Sequence, residues 1–323
     1  MPRLMPLTLA LVVTAASCGA LGGLSASPAP PASSARSDSP SSAVTVPPRA
    51  AHDVAISLGS ITGLAAAPDG SLYVVAFGDN QIRHLATTGR SLGSWGKAGS
   101  GPGEFGLPGN IAVSPDGTVY VADHDNDRIQ AFTPDGRFLR SFGSRGTGPG
   151  QFSHPVALAV DAAGNVYVGE DRNGRVQKFD PRGTLLLQIA TPGSGDGKLS
   201  DADGLAVDRT GNVWVSDYDQ NRVQKFDPAG ALLLAFGKAG SGPGEFSGAG
   251  SLAITQDGTL VVCDYTNDRL QLFDAVGHYL ETIGRSGGGP GQIRKPWGVA
   301  VDAGGVIYVS EFGNGRVQAF EPR

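Results

Sequence analysis

Short apolar runs separated by tight-turn sequences dominate the chain from about residue 61 onward. In one stretch, an apolar run at 109–113 is followed by Ser-Pro-Asp-Gly at 114–117. A second run at 118–122 then follows, in which Val119 and Val121 alternate with less apolar neighbours. Alternation with a period of two is typical of a strand with one buried face, and a Pro-Asp-Gly turn between two such runs predicts a β-hairpin.

This hairpin is half of a larger unit that repeats along the chain. A polar turn, a third apolar run at 128–132 and a fourth at 138–142 complete four predicted antiparallel strands. The turn glycine recurs every 47 residues without slippage, at Gly70, Gly117, Gly164, Gly211, Gly258 and Gly305. A fixed period of this length with four strands per unit predicts the blade of a β-propeller. We therefore predict an all-β fold with six four-stranded antiparallel blades at about 61–95, 108–142, 155–189, 202–236, 249–283 and 296–323.

The sixth blade has only three predicted strands, because its copy of the repeat stops at Arg323. An unpaired sheet edge is a liability, so we expect an N-terminal strand to close the ring. Two segments have strand-like sequences, 43–46 and 54–58. Phe142 lies in a predicted outermost strand, and the 47-residue period places it in register with Pro48. The segment 43–46 therefore falls where a fourth strand belongs, and we favour it as the closing strand. The segment 54–58 leaves only two or three residues to cross from the outside of one blade to the inside of the next.

The repeated motifs resemble a known family. Phe-Gly-Leu-Pro-Gly-Asn-Ile-Ala-Val at 105–113 and Val-Ala-Asp-His-Asp-Asn-Asp-Arg-Ile at 121–129 are similar to NHL repeats, and the similarity recurs in all six copies from 61 to 323. The resemblance implies a six-bladed β-propeller. It implies no single activity, since the family includes extracytoplasmic sensor domains, RNA- and protein-binding modules and one lyase.

The N-terminal region has the composition of an export signal followed by a linker. A short basic start and an apolar run at 7–16 lead to Ala-Ala-Ser-Cys-Gly, which resembles a bacterial lipoprotein signal with Cys18 as the lipidation site. Ordinary secretion is the alternative. Residues 19–42 are almost all Ser, Ala, Pro and Gly, which is typical of a disordered tether. The predicted organisation is a signal peptide at 1–18, a linker at 19–42 and the propeller at 43–323, on a protein that is exported and either membrane-anchored or secreted.

Positions shared by all copies are expected to build the fold. A carboxylate and an arginine five residues apart, such as Asp123 and Arg128, recur in five copies and predict a brace across one tight turn. Gly-Pro-Gly loops between the blades, as at 101–103, are flanked by strands rather than by a helix N-terminus, so we interpret them as structural linkers and not as phosphate-binding loops. Cys263 occupies a small, buried strand position.

Positions at which the copies differ are the candidates for function. The residue after each brace carboxylate and the residues at the start of each innermost strand are expected to share one face of the propeller and form a funnel there. The predicted ligand-binding residues of this funnel are Phe77, Tyr218, Tyr265, Phe312, Trp297, Arg172 and Lys295. Apolar walls with a few polar groups are typical of a ligand site. Solvated loop tips around an inert channel are the alternative.

The other side of the funnel could hold a divalent metal, zinc or calcium. Its candidate ligands are His124, His154, Asp201 and Asp203. The NHL resemblance includes peptidyl-hydroxyglycine amidating lyase, whose channel zinc is held by three histidines. Only two histidines are suitably placed in this sequence.

Two functions remain open from the sequence. The first is an extracytoplasmic binding or sensing propeller that contacts a protein, peptide or glycan through one face. The second is a metal-assisted lyase or hydrolase. The formal net charge of −5 argues against a nucleic-acid partner, because binding to nucleic acid rests on neutralising phosphates. We expect a monomer that meets a membrane only through its lipid anchor.

Overall fold

A computed structural model describes residues 49–55 and 57–322. The predicted signal peptide, the linker and the segment 43–46 lie outside these residues. The described chain is almost entirely β-structure, in six four-stranded antiparallel sheets. The first strands of successive blades contact each other all the way round, and the first strand of blade 1 contacts that of blade 6, so that the blades form a ring. The predicted all-β, six-bladed propeller is confirmed.

Blades 1 to 5 are each made of four consecutive strands, which follow one another from the innermost strand outward. Blade 1 contains Leu64–Ala66, Leu72–Ala76, Gln81–Leu85 and Ser91–Trp95; blade 2, Pro108–Val113, Val119–Asp123, Arg128–Phe132 and Phe138–Phe142. Blade 3 contains Pro155–Val160, Val166–Glu170, Arg175–Phe179 and Leu185–Ile189; blade 4, Ala202–Val207, Val213–Asp217, Arg222–Phe226 and Leu232–Phe236. Blade 5 contains Ala249–Ile254, Leu260–Asp264, Arg269–Phe273 and Tyr279–Ile283.

Blade 6 contains Pro296–Val301, Ile307–Glu311 and Arg316–Phe320. Short elements complete the described chain: 3₁₀ turns at Phe77–Asp79 and His124–Asn126, and a two-residue parallel pair, Thr191–Pro192 with Lys198–Leu199, between blades 3 and 4. No helix within 49–55 or 57–322 is long and apolar enough to cross a membrane.

The fourth strand of blade 6 is Ala51–Ala55, which pairs antiparallel with Arg316–Phe320. It is neither of the two segments that the sequence suggested, although its last two residues overlap with 54–58. The register argument assumed a connection of the usual length. Ala55 pairs with Val317, the place that Phe142 takes opposite Ile129 in blade 2. The closing connection lacks a Gly-Pro-Gly loop, so the strand lies seven residues closer to blade 1 than the period indicates.

The Gly-Pro-Gly linkers anchor one blade to the next, which is the structural role predicted for them. Each linker ends in a fully buried apolar side chain, Phe105, Phe152, Phe246 or Ile293. The ring of Phe105 lies 5.7 Å from that of Phe132 in the third strand of the following blade. Cys263 is also fully buried, and burial raises the pKa of its thiol, as expected for a core position.

The carboxylate–arginine brace forms in all five predicted copies. In blade 2, Arg128 Nε donates to Asp123 Oδ2 at 2.7 Å, and the Gly106 N–H donates to Asp123 Oδ1 at 2.7 Å. Gln130 Nε2 also donates to Asp123 Oδ2, at 3.0 Å. Because the same arginine donates to the carbonyl of Gly101, the brace joins the tight turn to the linker.

The brace of blade 4 is the weakest. Arg222 reaches Asp217 at 3.4 Å, against 2.7 Å for Arg269 and Asp264 in blade 5, and its Nε has no partner among the described residues. We expect Arg269→Met to lower the free energy of unfolding by about 3 kcal/mol, because it leaves the fully buried Asp264 carboxylate without its cation. Arg222→Met should lower the free energy of unfolding by less than Arg269→Met does. Chemical denaturation of both variants checks this order, and an equal loss would contradict it.

Candidate functional site

A cavity of about 310 Å³ opens at the centre of one face of the ring. Two places in the repeat supply its lining, the turn after the second strand and the start of the innermost strand, which are the places the sequence predicted. The turn contributes Phe77, His124, Asp171 and Tyr218. The start of the innermost strand contributes Thr62, Leu107, Gly109, Val156, Asp201, Asp203 and Trp297.

Aromatic rings form a continuous arc beside this cavity. Tyr218 and Tyr265 have ring centroids 6.3 Å apart, and Tyr265 meets Trp297 edge-on at 5.3 Å. Trp297 lies 6.2 Å from Phe312. These rings come from blades 4, 5 and 6. Tyr218, Tyr265 and Phe312 occupy equivalent positions of the repeat, and Trp297 adds a fourth ring from the innermost strand of blade 6. We call Tyr218, Tyr265, Trp297 and Phe312 the aromatic arc.

Two histidines from neighbouring blades meet on the opposite side. The rings of His124 and His154 lie 4.5 Å apart, centroid to centroid. Nδ1 of His124 is 2.8 Å from Asp125 Oδ1, and its Nε2 is 3.7 Å from Asp171 Oδ2. Burial alone would lower the pKa of His124, but these two carboxylates outweigh it and raise that pKa. Burial, together with the positive charges of His124 and Arg172, lowers the pKa of His154.

The backbone holds His154 in place through the preceding blade. Its φ is +56°, a left-handed conformation that is uncommon outside glycine, and its N–H donates to Asp127 Oδ1 at 2.9 Å. Equivalent bonds link Asn80 to Leu107, Asn221 to Gly248 and Asp268 to Lys295. An Asn or Asp side chain at the end of one turn therefore fixes the first residue of the next blade.

The joint between blades 3 and 4 departs from this rule. Gly174 stands where the turns of blades 1, 2, 4 and 5 carry Asn or Asp, so no side chain is available there to accept the bond; Gly315 holds the same place in blade 6. The N–H of Asp201 lies 3.2 Å from Asp217 Oδ1 instead. The same joint lacks the Gly-Pro-Gly sequence and brings Asp201 and Asp203 to the cavity. Two carboxylates therefore line the cavity at a joint that departs from the repeat.

The carboxyl groups of Asp201 and Asp203 are in an environment that disfavours their charge. Both residues are half-buried and line the cavity. Burial is the largest cause that raises the pKa of each group far above the ordinary 3.8, and the Asp171 and Asp219 carboxylates raise both further. Asp203 also raises the pKa of Asp201, while His124 partly offsets the effect on Asp203.

These raised pKa values predict that the acidic cluster destabilises the fold. The folded protein keeps protons that the unfolded chain releases above about pH 4, so the free energy of unfolding falls as pH rises from there. Asp203→Asn replaces one of these carboxyl groups by a neutral amide, so its share of this loss of stability disappears. We expect it to raise the free energy of unfolding by about 1.4 kcal/mol or more at about pH 7, and to have little effect at about pH 3. Urea unfolding at both pH values is the measurement; Asp227→Asn, in a turn on the opposite face, is the control. A variant that is less stable at neutral pH would contradict the prediction.

Several polar atoms beside the cavity have no hydrogen-bond partner within the described residues. They are Thr62 Oγ1, His154 Nδ1, Asp171 Oδ1 and Asp201 Oδ1. A buried polar atom without a partner costs free energy comparable to a lost hydrogen bond. Partners for these atoms would therefore have to come from water or from a ligand in the channel.

The predicted site residues fall into three groups. Phe77, Tyr218 and Trp297 line the cavity, and Tyr265 and Phe312 complete the aromatic arc. Arg172 and Lys295 do not line it: Arg172 is largely exposed beside Asp171, and the Lys295 ammonium lies 5.8 Å from the centre of the Tyr265 ring.

The predicted metal ligands divide between two places. The ligand atoms of His124 and His154 lie within 4.8 Å of one another and of an oxygen of Asp125. Asp201 and Asp203 are not part of that group. Asp125 was not among the predicted ligands. It follows His124 in a turn rich in polar residues, where sequence alone does not distinguish it from solvated neighbours.

Comparison with known proteins supports the fold. The NHL repeat model matches residues 105–132, 199–226 and 294–320. No curated protein sequence matches the chain. Among solved structures, a streptogramin B lyase superposes with a TM-score of 0.60 at 12% identity, covering 83% of this chain and 96% of that chain. A protein of unknown function from Bacteroides thetaiotaomicron superposes with a TM-score of 0.67 at 15% identity, covering 84% of this chain and 76% of that chain.

A catalytically inactive virginiamycin B lyase from Staphylococcus aureus, with quinupristin, gives a TM-score of 0.58 at 14% identity, covering 82% of each chain. At such low identity these likenesses concern the fold. The matched repeats and the ring of six blades together show that the chain carries NHL repeats and folds into a six-bladed β-propeller.

Proposed function

We propose that this protein is a ligand-binding propeller whose ligand enters the central cavity. The observation that carries the proposal is the composition of the lining. The cavity is built from positions at which the six copies differ, with an aromatic arc on one side and histidines and carboxylates on the other. A volume of about 310 Å³ is at the lower end of ligand sites. It suits a small molecule, or one terminal group of a peptide or glycan, better than a protein surface.

The setting that we propose follows from the N-terminal sequence. A lipoprotein-like signal ending at Cys18 and the linker at 19–42 would present the propeller outside the cytoplasm, tethered through a lipid. In that setting the protein would act as a monomeric binding or sensing module and would have no nucleic-acid partner.

The test is a ligand screen read in two independent ways. Thermal shift identifies compounds that stabilise the folded protein, because a ligand that binds only the native state raises its stability by mass action. Trp297 then reports binding in the cavity, since Trp214 is buried and Trp95 lies on an outermost strand. We expect hits to change the fluorescence of the wild type but not that of Trp297→Phe. Hits that act equally on Tyr218→Ala and wild type would contradict a cavity site.

A metal-assisted lyase is the second candidate. It is favoured by the grouping of His124, Asp125 and His154, whose donor set suits a divalent cation such as zinc, and by the unpartnered Nδ1 of His154. Two of the similar structures are of lyases, streptogramin B lyase and virginiamycin B lyase. A metal held there would act as a Lewis acid, and Asp171, beside His124, would orient that ring.

Metal content separates the two candidates. If His124 and His154 hold zinc, His124→Ala and His154→Ala should each weaken zinc binding by about tenfold or more, a common cost of disturbing a metal site. His278→Ala is the matched control, because His278 is an exposed histidine paired with a carboxylate in blade 5. Zinc titration followed by metal analysis is the measurement. Equal zinc binding by all three variants would end the metal candidate and leave the binding function standing.

A further inference from the structure

We propose that the cavity recognises a primary ammonium group carried on an apolar or aromatic body. The ammonium would face Asp171, Asp201 and Asp203, and the body would lie against Tyr218 and Trp297. This inference rests on the proposed binding function and names the chemical class of its ligand.

The charge balance of the cavity favours a cation. Three carboxylates line it, and His124 is the one basic side chain among its lining residues. Arg172 is 65% exposed, with its Nε 3.7 Å from Asp171 Oδ1, beyond hydrogen-bond distance. The groups that interact electrostatically with Asp201 and Asp203 add negative charge or are neutral, apart from His124; they are Asp171, Asp217, Asp219, Tyr218, Tyr265 and Cys263. A cation would supply the missing countercharge and would favour the ionised form of these carboxyl groups, which an anionic ligand would disfavour further.

The unpartnered oxygens favour a cation that donates hydrogen bonds. Thr62 lines the cavity and is only 3% exposed, and its Oγ1 has no partner within the described residues. Asp171 Oδ1 and Asp201 Oδ1 lack partners there as well. A primary ammonium has three N–H donors, and hydrogen bonds to charged groups are stronger than those between neutral ones. A quaternary ammonium has no N–H and would leave these oxygens unsatisfied.

The aromatic arc favours an apolar body attached to that ammonium. Tyr218 and Trp297 line the same cavity as the carboxylates, and Tyr265 contacts both rings. Aromatic faces attract cations electrostatically and bury apolar surface in the same contact. A bare metal ion needs no such wall, so the arc separates an organic cation from a divalent metal.

The experiment compares two probes that differ in one group, 2-phenylethylamine and 2-phenylethanol. Calorimetric titration of the full-length protein is done in the presence of a chelator, so that metal does not contribute. We expect the amine to bind at least about tenfold more tightly than the alcohol, a difference of about 1.4 kcal/mol. Asp203→Asn should weaken binding of the amine by about tenfold or more and leave the affinity for the alcohol unchanged. Asp227→Asn, the same change in a turn of the opposite face, should affect neither.

A second pair of probes identifies the source of the ammonium. Phe-Gly amide with a free N-terminus and its N-acetyl form test whether a peptide's amino end is accepted. Tighter binding of the free peptide than of phenylethylamine indicates a peptide ligand, and the reverse order indicates a small amine; either supports the ammonium site.

Equal affinity for the amine and the alcohol, with both lost in Trp297→Ala, would overturn the ammonium inference and leave the binding function intact. No binding of either amine or free peptide would also overturn the inference. The binding function itself would fail only if the ligand screen gave no compound whose binding depends on the cavity residues.

Discussion

A chain shortened to begin at Ser57, which lacks Ala51–Ala55, should unfold several kcal/mol more readily than the intact protein. The strand supplies the outer edge of blade 6, and without it Arg316–Phe320 becomes an exposed edge. Val54, which is only 6% exposed, would leave the cluster that it forms with Leu58 and Val317. The ion pair between Asp53 and Arg316, at 3.0 Å, would be lost as well. The net free energy of unfolding of a native protein is small, so a loss of several kcal/mol is a large fraction of it.

A chain that begins at Pro47 is the matched control, since it retains the whole strand. Chemical denaturation should give this control the stability of the full-length protein. Val54→Asp in the full-length chain should reproduce part of the loss, because it places a carboxyl group in an apolar cluster. Equal stabilities for the chains that begin at Pro47 and Ser57 would contradict closure by Ala51–Ala55.

The second large effect concerns the aromatic arc. Trp297→Ala and Tyr265→Ala should each weaken ligand binding by at least about 2 kcal/mol, roughly thirtyfold, as truncation of a central aromatic contact commonly does. Trp297 lines the cavity, and Tyr265 supports it edge-on at 5.3 Å. Each ring is partly exposed rather than core, so the cost in folding stability should be much smaller than the cost in binding.

Leu233→Ala is the control for this prediction. Leu233 is a large apolar residue, 55% exposed, on the outermost strand of blade 4 and distant from the cavity in the blade. The Leu233→Ala variant should bind ligand with the affinity of the wild type. Calorimetry gives the affinities, and thermal melts give the stabilities. Aromatic variants that bind normally but unfold readily would mean that the arc is part of the core rather than a binding surface.

The fold could be predicted from the sequence because each copy repeats the same local signals. A Pro-Asp-Gly or similar turn, alternating strands, and a carboxylate and arginine in fixed register recur at 47-residue spacing. The brace at Asp123 and Arg128 has the contacts that this spacing indicates. Because most copies meet their neighbours in the same way, one correctly predicted hairpin extends to the whole ring.

Two of the features that escaped prediction lie where the repeat is broken, and a third arises from contact between blades. The closing strand was misplaced because its connection to blade 1 omits a linker present elsewhere, and a period carries no information about an omitted segment. Gly174 has no side chain to accept the hydrogen bond from the first residue of the next blade, and this was likewise not evident from any one copy. Asp125 became a neighbour of His154 through contact between blades, and such contacts depend on distances that sequence spacing does not give.

A crystal structure of the protein with its best-binding ligand tests the central claim most directly. The claim is that function resides in the cavity where the copies of the repeat differ. It predicts ligand density between Trp297 and Asp203, with the ligand's polar atoms within hydrogen-bond distance of at least one of the unpartnered oxygens that line the channel. Ligand bound on the outer strands or on the opposite face, with the cavity holding only water, would contradict it.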